Sequence, residues 1–385
     1  MRLNEPMVSS SNKTCFPKGM HYLSGNEASA EGAIAAGCRF YAGYPITPSS
    51  EIMERMSTRL REVGGVFIQM EDEIASISAV IGASWAGAKA MTATSGPGFS
   101  LMQEAVGYAA FTETPCVIVD VQRAGPCTGQ ATRVGSGDIM QAKWGSHGDY
   151  QVIAVSPWSV QEMYDLTLRA FNLSEGYRVP AMVMADEAVG HLRENISMGA
   201  KVEVWNRKKP KKGSPFGVEE DDVSPMPSFG EGAKLSITGS THNEFGIRKT
   251  DDPEVHARLV DRINNKVLKN RDKIIETEDY FLEDAEIALV AYGFTSRTSL
   301  YVVKQLRKEG MKVGLVRLKT LWPFPEEAIR GLRGGVKKVM IPEMNKGQVA
   351  GEVKKCCSCD VIPISQTNGE IIHPETILEA FKRIS

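Results

Sequence analysis

The 385-residue sequence has almost no excess of charge of either sign, because 45 lysines and arginines are balanced by 47 aspartates and glutamates. A net charge of −2 argues against nucleic acid or an anionic membrane surface as the main partner. No apolar run is long enough to cross a bilayer, and Met1–Pro6 lacks the apolar stretch of a signal peptide. We therefore expect a cytoplasmic protein.

The sequence also lacks the cysteine pattern of a disulfide-stabilised or metal-binding protein. Its seven cysteines are odd in number and widely scattered, which is typical of reduced thiols. The segment Cys356-Cys357-Ser358-Cys359 is rich in thiols, but a metal cluster usually requires four ligands, and no Cys-x-x-Cys partner lies elsewhere. We expect these thiols to be packed or solvent-facing at the end of a helix.

What the sequence does contain is an alternation of apolar strands and helices that is interrupted once. A chain of this length with 42% hydrophobic residues can bury two or three cores. Apolar strands such as Cys116–Asp120, separated by helices such as Val160–Ser174, indicate an α/β fold with a parallel sheet covered on both faces. The lysines and acids of 207–222 predict an exposed linker, and 250–279 a charged helical stretch. The predicted segments are an N-terminal extension (1–24), a parallel-sheet domain (25–200), a linker with a charged helical segment (201–284) and a smaller α/β domain (285–385).

The most informative motif is a proline-stiffened loop, Tyr44-Pro45-Ile46-Thr47-Pro48-Ser49-Ser50. Each proline fixes its own φ and pushes the preceding residue toward extended geometry, so that the Thr47 hydroxyl is held on a stiff backbone. Ser49 or Ser50 is suited to cap the helix predicted over 51–63. Taken alone, the segment is equally consistent with a structural loop before a capped helix.

Three acids, Glu71, Asp72 and Glu73, follow the predicted strand Val66–Met70, and Glu73 begins the next predicted helix. The stripe of that helix expected to pack inward consists of Ile74, Ile77, Ile81 and Trp85. Acids at a helix start often only complement the helix dipole. A glutamate kept there for chemistry needs a partner that shares its proton, and N1′ of an aminopyrimidine is such a partner. With the proline loop, the acids point to a thiamine diphosphate site.

Two glycine-containing loops lie at the ends of further strands. Thr94-Ser95-Gly96-Pro97-Gly98 leads from a strand to a helix, and its glycines allow a ligand close to the backbone, although a plain turn has the same composition. The loop Arg123–Gly129 lies at a carboxyl strand end, where open α/β sheets bind ligands. Arg123 offers a fork of donors that matches a carboxylate, and Thr128 offers a hydroxyl, unless this is only a surface loop. His147, between glycines, is more often a turn residue than a proton relay.

In combination, these motifs resemble the alpha subunit of 2-oxoacid:ferredoxin oxidoreductases, most closely the 2-oxoglutarate branch. The resemblance covers the chain from about Gly25 to the C-terminus. Its segments are Tyr44–Ser50, Met70–Glu73, Thr92–Met102, Arg123–Gly129, Trp322–Pro325 and Glu343–Gln348. It implies a thiamine-pyrimidine domain followed by a transketolase C-terminal-like domain. One departure is Cys127, where the family loop commonly has serine.

The resemblance also implies roles for individual residues. Glu73 corresponds to the glutamate that activates the aminopyrimidine, and Thr47, Arg123 and Thr128 correspond to positions that contact the 2-oxoacid and the cofactor. The implied cofactor-binding residues are Tyr44, Pro45, Ile46, Glu73, Ser95 and Gly96. The implied reaction is the oxidative decarboxylation of a 2-oxoacid with coenzyme A to an acyl-CoA, carbon dioxide and reduced ferredoxin. With 2-oxoglutarate the product is succinyl-CoA.

The sequence contains no Gly-Asp-Gly motif, which thiamine enzymes resembling this fold use to hold the diphosphate through magnesium, and no ferredoxin-like cysteine pattern. We therefore expect half of an active site, with the diphosphate-binding domain, Mg²⁺ and a 4Fe–4S cluster on a beta subunit. A gamma subunit, a ferredoxin-like subunit and ferredoxin are further expected partners. Alternatives remain: the substrate is pyruvate or a branched-chain or aryl 2-oxoacid, or the chain is a non-catalytic assembly subunit.

Overall fold

The computed structural model of the protein describes residues 18–199, 202–210, 214–217 and 222–384. Residues 1–17 of the predicted N-terminal extension lie outside these ranges. The same is true of Lys211, Lys212 and the acids at 219–221 in the predicted linker. None of the helices in the described ranges is long and apolar enough to cross a membrane.

The described ranges alternate between strands and helices along most of their length. The strands are β1 (Gly19–Ser24), β2 (Cys38–Gly43), β3 (Val66–Gln69), β4 (Lys89–Thr94), β5 (Cys116–Ala124), β6 (Gln130–Val134), β7 (Ile153–Val155), β8 (Pro180–Asp186), β9 (Arg193–Met198), β10 (Thr277–Tyr280), β11 (Ile287–Ala291), β12 (Val313–Leu318), β13 (Thr320–Trp322), β14 (Lys338–Glu343) and β15 (Asp360–Ser365). The helices are α1 (Gly25–Ala35), α2 (Ser50–Glu62), α3 (Glu73–Trp85), α4 (Gly96–Leu101), α5 (Gln103–Phe111), α6 (Ile139–Trp144), α7 (Val160–Tyr177), α8 (Glu187–His191), α9 (Pro253–Leu268), α10 (Arg271–Ile274), α11 (Thr295–Lys308), α12 (Glu326–Arg330), α13 (Gln348–Cys356) and α14 (Pro374–Ile384).

The larger sheet has the strand order β13-β7-β8-β5-β4-β2-β3, with β6 added as a hairpin partner of β5. The pairs from β7 to β3 are parallel, which confirms the predicted parallel sheet. Successive residues of β5 point to opposite faces. Val117, Val119 and Val121 pack with α1, α2 and α7, whereas Ile118 packs with α3 and α5. Helices therefore cover both faces of this sheet, as its continuous apolar strands predict.

The smaller sheet has the order β10-β12-β11-β14-β15, in which β10 is antiparallel and the other strands are parallel. Its first strand, β10, lies before residue 285, where the sequence places the start of the second domain. Strand β13 belongs to the second domain in sequence, but it pairs with β7 at the edge of the larger sheet. The smaller sheet thus takes its first strand from the predicted linker segment, and the second domain contributes the edge strand β13 to the larger sheet.

The segment predicted as an exposed linker packs against the first domain where the structure describes it, so that prediction is wrong there. Arg207 is buried, and its guanidinium forms an ion pair with the buried Glu175. Phe216 is fully buried and packs against Trp85. The segment is predicted to be exposed because lysines dominate its composition. Its packing is instead determined by two side chains, Arg207 and Phe216.

Two helical predictions also need correction. In α3, Ile77, Ile81 and Trp85 are buried as predicted, but Ile74 is 51% exposed. Ile74 lies in the first turn of α3, shortly after the carboxyl end of β3. The predicted helical stretch 250–279 is divided into α9 and α10, and its end is the strand β10.

Candidate functional site

Apart from Thr128, the predicted site residues lie at the carboxyl ends of four parallel strands. The proline loop connects β2 to α2, and the three acids connect β3 to α3. Ser95 connects β4 to α4, and Arg123 lies near the end of β5. In an open α/β sheet this edge is where ligands bind, because the connecting loops leave a crevice there.

The proline loop is held by hydrogen bonds to its backbone carbonyls. Arg123 Nη1 donates to Thr47 O (2.8 Å). The fully buried Asn26 donates through Nδ2 to Pro48 O (2.8 Å). Ser49 occupies the N-cap position of α2, but its hydroxyl donates to Ile46 O (3.0 Å), so the predicted side-chain cap is wrong for this residue. The loop is therefore rigid, while the Thr47 and Tyr44 side chains remain exposed.

The three acids before α3 have different environments. Glu71 is exposed, whereas the carboxylate of Asp72 caps α3 by accepting from Ala75 N (2.7 Å). Glu73 is buried, with 5% of its surface exposed. Burial raises the pKa of the Glu73 carboxyl above its ordinary value, although its own backbone N–H and the nearby Arg123 charge oppose this shift. Of the three acids, only Glu73 is buried, which is the environment expected of a carboxyl group that takes part in proton transfer.

The Glu73 carboxylate lies directly against the turn after β4. A methyl group built on Gly98 would come within 2.2 Å of Glu73 Oε1 and 2.3 Å of Thr94 Oγ1. The Thr94 and Ser95 hydroxyls are fully buried and have no hydrogen-bond partner in the described part of the chain. Buried polar groups are normally satisfied, so these hydroxyls indicate a place where a ligand or water supplies the missing bonds.

Arg123 is buried and connects several parts of the site. One nitrogen donates to the proline loop, while Nε has no partner among the described residues. Thr128 lies farther out, exposed at the turn of the β5–β6 hairpin. That turn requires Gly129, because φ is +53° there and a methyl group would lie 1.9 Å from Ala124 O. His147 is exposed in the turn after α6.

The structure adds an acid pair that no sequence motif indicates, the fully buried Asp120 and the half-buried Asp138. Asp120 lies on β5 beside Thr94 of β4 in the strand register, and both are fully buried. Burial and the adjacent Asp138 carboxyl raise the pKa of Asp120 well above its ordinary value. An aspartate inside the apolar run Cys116–Val121 is the sequence signal for this site. Asn26 was missed too, because it has no local motif.

These residues fit the aminopyrimidine part of thiamine diphosphate. The buried Glu73 carboxyl would be available to N1′, and the unsatisfied hydroxyls of Thr94 and Ser95 could bond to a polar ring beside it. No group of three or more His, Cys, Asp or Glu side chains in the described ranges is arranged to hold a metal ion. The thiols at 356–359 are packed at the end of α13, as expected: Cys356 is buried, and the Cys359 thiol donates to Val336 O.

The chain is similar to known proteins in both sequence and fold. Residues 31–262 match the family model "Pyruvate flavodoxin/ferredoxin oxidoreductase, thiamine diP-bdg", and residues 285–377 match "Pyruvate:ferredoxin oxidoreductase core domain II". The 2-oxoglutarate synthase subunit KorA of Methanocaldococcus jannaschii is 55% identical over 369 residues, which are 94% of this chain and 99% of that protein.

Two solved structures share the fold. One is a 2-oxoglutarate:ferredoxin oxidoreductase from Magnetococcus marinus with 2-oxoglutarate, coenzyme A and succinyl-CoA bound (TM-score 0.91, 35% identity). The match covers 95% of the present chain but only 65% of that longer chain. The other is a split-gene transketolase, an inactive beta4 tetramer (TM-score 0.55, 11% identity, covering 94% and 97% of the two chains), which supports the fold alone.

Proposed function

Because the chain belongs to the pyruvate flavodoxin/ferredoxin oxidoreductase family, we propose that it is the aminopyrimidine-binding subunit of a 2-oxoglutarate:ferredoxin oxidoreductase. The reaction is the oxidative decarboxylation of 2-oxoglutarate with coenzyme A to succinyl-CoA and carbon dioxide, with ferredoxin as electron acceptor. The single observation that supports this role best is the buried Glu73 carboxyl, set against Gly98 at the edge of the sheet. The name of the 55% identical relative supports the choice of 2-oxoglutarate.

Glu73 manages a proton at N1′ of the aminopyrimidine. Burial raises the pKa of the Glu73 carboxyl, which favours the protonated form that can give its proton to N1′ and take it back. Gly98 allows the carboxylate to lie at the required depth, and Asp72 caps the helix in its place. When bound, thiamine diphosphate supplies the carbon nucleophile and stores the electrons released by decarboxylation.

Arg123 and Thr47 bind and orient the 2-oxoacid. One Arg123 nitrogen fixes the proline loop, while its unsatisfied Nε and the adjacent Nη2 present the fork geometry that matches a carboxylate. The buried guanidinium interacts with substrate more strongly than an exposed one, because the surroundings screen less. The exposed Thr47 hydroxyl, and Thr128 on the hairpin, provide polar contacts at the entrance.

The chain works in a multi-subunit enzyme and provides half of the site. A beta subunit with the diphosphate-binding domain, Mg²⁺ and a 4Fe–4S cluster completes it. Gamma and ferredoxin-like subunits are further proposed partners. Exposed apolar residues lie on helices that follow the site strands: Ile74 in the first turn of α3 (51% exposed), Leu101 at the end of α4 (49%) and Trp144 at the end of α6 (58%). Such residues are typical of an interface centre, so we place the beta subunit here.

Reconstitution tests this function. The isolated chain should show no thiamine-dependent oxidation of 2-oxoglutarate, and activity should appear when a beta-type subunit is added. The assembled enzyme should prefer 2-oxoglutarate to pyruvate and to 2-oxoisovalerate in kcat/KM. Ferredoxin reduction by the chain alone would refute the half-site, and a preference for another 2-oxoacid would refute the proposed substrate.

The rival function, a non-catalytic assembly subunit, makes a different prediction. Substitution of Glu73 would then leave the turnover of the assembled complex unchanged. The burial of an acid with no helix-capping task argues against this alternative, because an unneeded buried carboxyl only costs stability.

A further inference from the structure

The acid pair, Asp120 and Asp138, lies next to the turn that contacts the proposed proton site. Asp120 is fully buried, whereas Asp138 is half-buried with its Oδ2 atom shielded from solvent. Asp120 lies on the same face of the sheet as Ile118, which packs toward α3 and α5, and it is in register with Thr94. Asp138 ends the loop that follows β6, here called the Asp138 loop (Gly135–Asp138). The backbone N–H of Gly96 faces both carboxyls, and a methyl group built on Gly96 would lie 3.8 Å from Asp138 Oδ2.

Two ionised carboxylates cannot remain in this position. Neither oxygen of Asp120 receives a conventional hydrogen bond from a donor in the described structure, and Asp138 Oδ2 has none either. Buried charges without donors are costly, and two adjacent ones also repel each other. A single proton between the carboxyls removes one charge and provides the missing hydrogen bond.

The charged groups around the acid pair do not change this conclusion. Arg123, on the same strand, faces Asp138 and favours its ionised form. Arg123 also interacts with Glu73 on α3, so its positive charge is shared between two acids. This single guanidinium therefore favours at most one ionised carboxylate in the acid pair, and the other carboxyl retains its proton.

The second domain fixes the Asp138 loop from outside. Ser136 N donates to Met344 O (3.2 Å), and Asn345 Nδ2 donates to Ser136 O (2.7 Å). Gln348 donates through Nε2 to Gly137 O (2.6 Å). From the first domain, Gln122 Oε1 accepts from Asp138 N (3.1 Å). Asp138 is thus held in place by both domains. The segment Glu343–Gln348 fixes the Asp138 loop from the second domain.

We propose that Asp120 and Asp138 share one proton and act as positioning residues that hold the Ser95–Gly98 turn against the Glu73 carboxylate. The inference rests on the proposed function for its effect on turnover. When pH rises far enough to remove the shared proton, the two carboxylates repel each other and the turn moves away from Glu73. Turnover then falls on the alkaline side because the geometry at Glu73 is lost.

The pH profile of kcat in the reconstituted enzyme tests the positioning role. Asp138→Asn replaces the protonated acid by an amide that donates to Asp120 at every pH, so the alkaline fall in kcat should disappear. Asp138→Ala, which removes the donor, should lower kcat about tenfold to a hundredfold and change KM for 2-oxoglutarate much less. Asp138→Asn should restore most of that loss. An alkaline limb that is unchanged in Asp138→Asn would overturn the proposal.

Asp186→Asn is the matched control. Asp186 is also buried, on the adjacent strand β8, but its carboxylate accepts hydrogen bonds from Val189 N and Phe294 N. This variant should keep the alkaline limb of the wild type. Loss of the limb in Asp186→Asn as well would show that any buried aspartate produces the effect, and would overturn the assignment to the acid pair.

A second measurement does not depend on activity. The full-length chain, labelled with carbon-13 in its aspartate side-chain carboxyls, should show an infrared band of a protonated aspartic acid that persists above neutral pH. The band should be absent in Asp138→Asn and present in Asp186→Asn. Its absence from the wild type would refute the shared proton. Failure of the reconstituted wild type to oxidise 2-oxoglutarate would instead refute the proposed function, and the infrared result would still decide whether the proton is shared.

Discussion

Replacing Gly98 by alanine tests the contact between the turn after β4 and Glu73. The added methyl group would lie 2.2 Å from Glu73 Oε1, 2.6 Å from Glu73 Cδ and 2.3 Å from Thr94 Oγ1. Carbon and oxygen atoms in contact are more than 3 Å apart, so the carboxylate must move by about 1 Å. Gly98 lies in α4 without positive φ, so alanine is otherwise acceptable there and any loss is steric.

A displacement of this size has a predictable effect on turnover. A misplacement of about 1 Å at a catalytic group costs on the order of a hundredfold in rate, whereas overpacking costs about 1–3 kcal/mol of stability. We therefore expect Gly98→Ala to fold and to assemble with its partner, but to lose about a hundredfold in kcat. The assays are steady-state ferredoxin reduction and urea unfolding of the same preparation.

Gly351→Ala is the matched control for this substitution. Gly351 lies in α13 with no atom within 4 Å of the position where its methyl group would be. The exchange should leave kcat unchanged and stabilise the helix slightly, by up to about 1 kcal/mol. Wild-type kcat in Gly98→Ala would refute the proposed position of Glu73 as the proton-exchanging group.

Two further substitutions test the substrate contact and the packing of the first domain. Arg123→Lys should lower kcat/KM for 2-oxoglutarate about ten- to a hundredfold, because a point charge cannot replace the fork and charge-assisted hydrogen bonds contribute roughly 1.5–3 kcal/mol; unchanged kinetics would make Arg123 structural. Glu113→Gln should lower the free energy of unfolding, measured in urea, by about 3–5 kcal/mol, because Arg262 and Lys266 lose their buried partner. The control Glu231→Gln, at an exposed ion pair with Lys209, should change this free energy little. Burial alone would raise the pKa of Glu113, but Lys266, Arg262 and Arg178 outweigh it and lower the pKa from 4.5 to about 2. The contribution of Glu113 to stability is therefore present above pH 4.5 and is lost as pH falls toward 2. A loss of less than about 1 kcal/mol in Glu113→Gln would contradict the buried pairing.

The sequence was sufficient to predict the family, the parallel sheet and the main loops of the site, because each of these depends on local patterns. The proline loop, the acids before α3 and the loop after β4 are short segments at predicted strand ends, and the larger sheet brings those ends to one edge. The expectation of a 2-oxoacid:ferredoxin oxidoreductase subunit is confirmed by the family models and relatives.

What the sequence did not reveal depends on contacts between distant segments. Asp120 and Asp138 meet because the β5–β6 hairpin folds back, and Asn26 reaches the proline loop from the start of α1. Arg207 is buried because distant segments supply its partners: Glu175 on α7 and the backbone carbonyls of Ser84 and Ala88. A single sequence gives the residue types in such pairs but not their proximity.

The most direct test of the central claim, that Glu73 exchanges a proton with the cofactor, is hydrogen–deuterium exchange at C2 of bound thiamine diphosphate in the assembled enzyme. Glu73→Gln preserves size and hydrogen bonding but not proton exchange, so the exchange rate should fall by roughly 10²–10⁴. Glu71→Gln should have little effect because Glu71 is exposed, and Asp72→Asn should have little effect because asparagine also caps helices. A wild-type exchange rate in Glu73→Gln, or its loss in Glu71→Gln instead, would contradict the account.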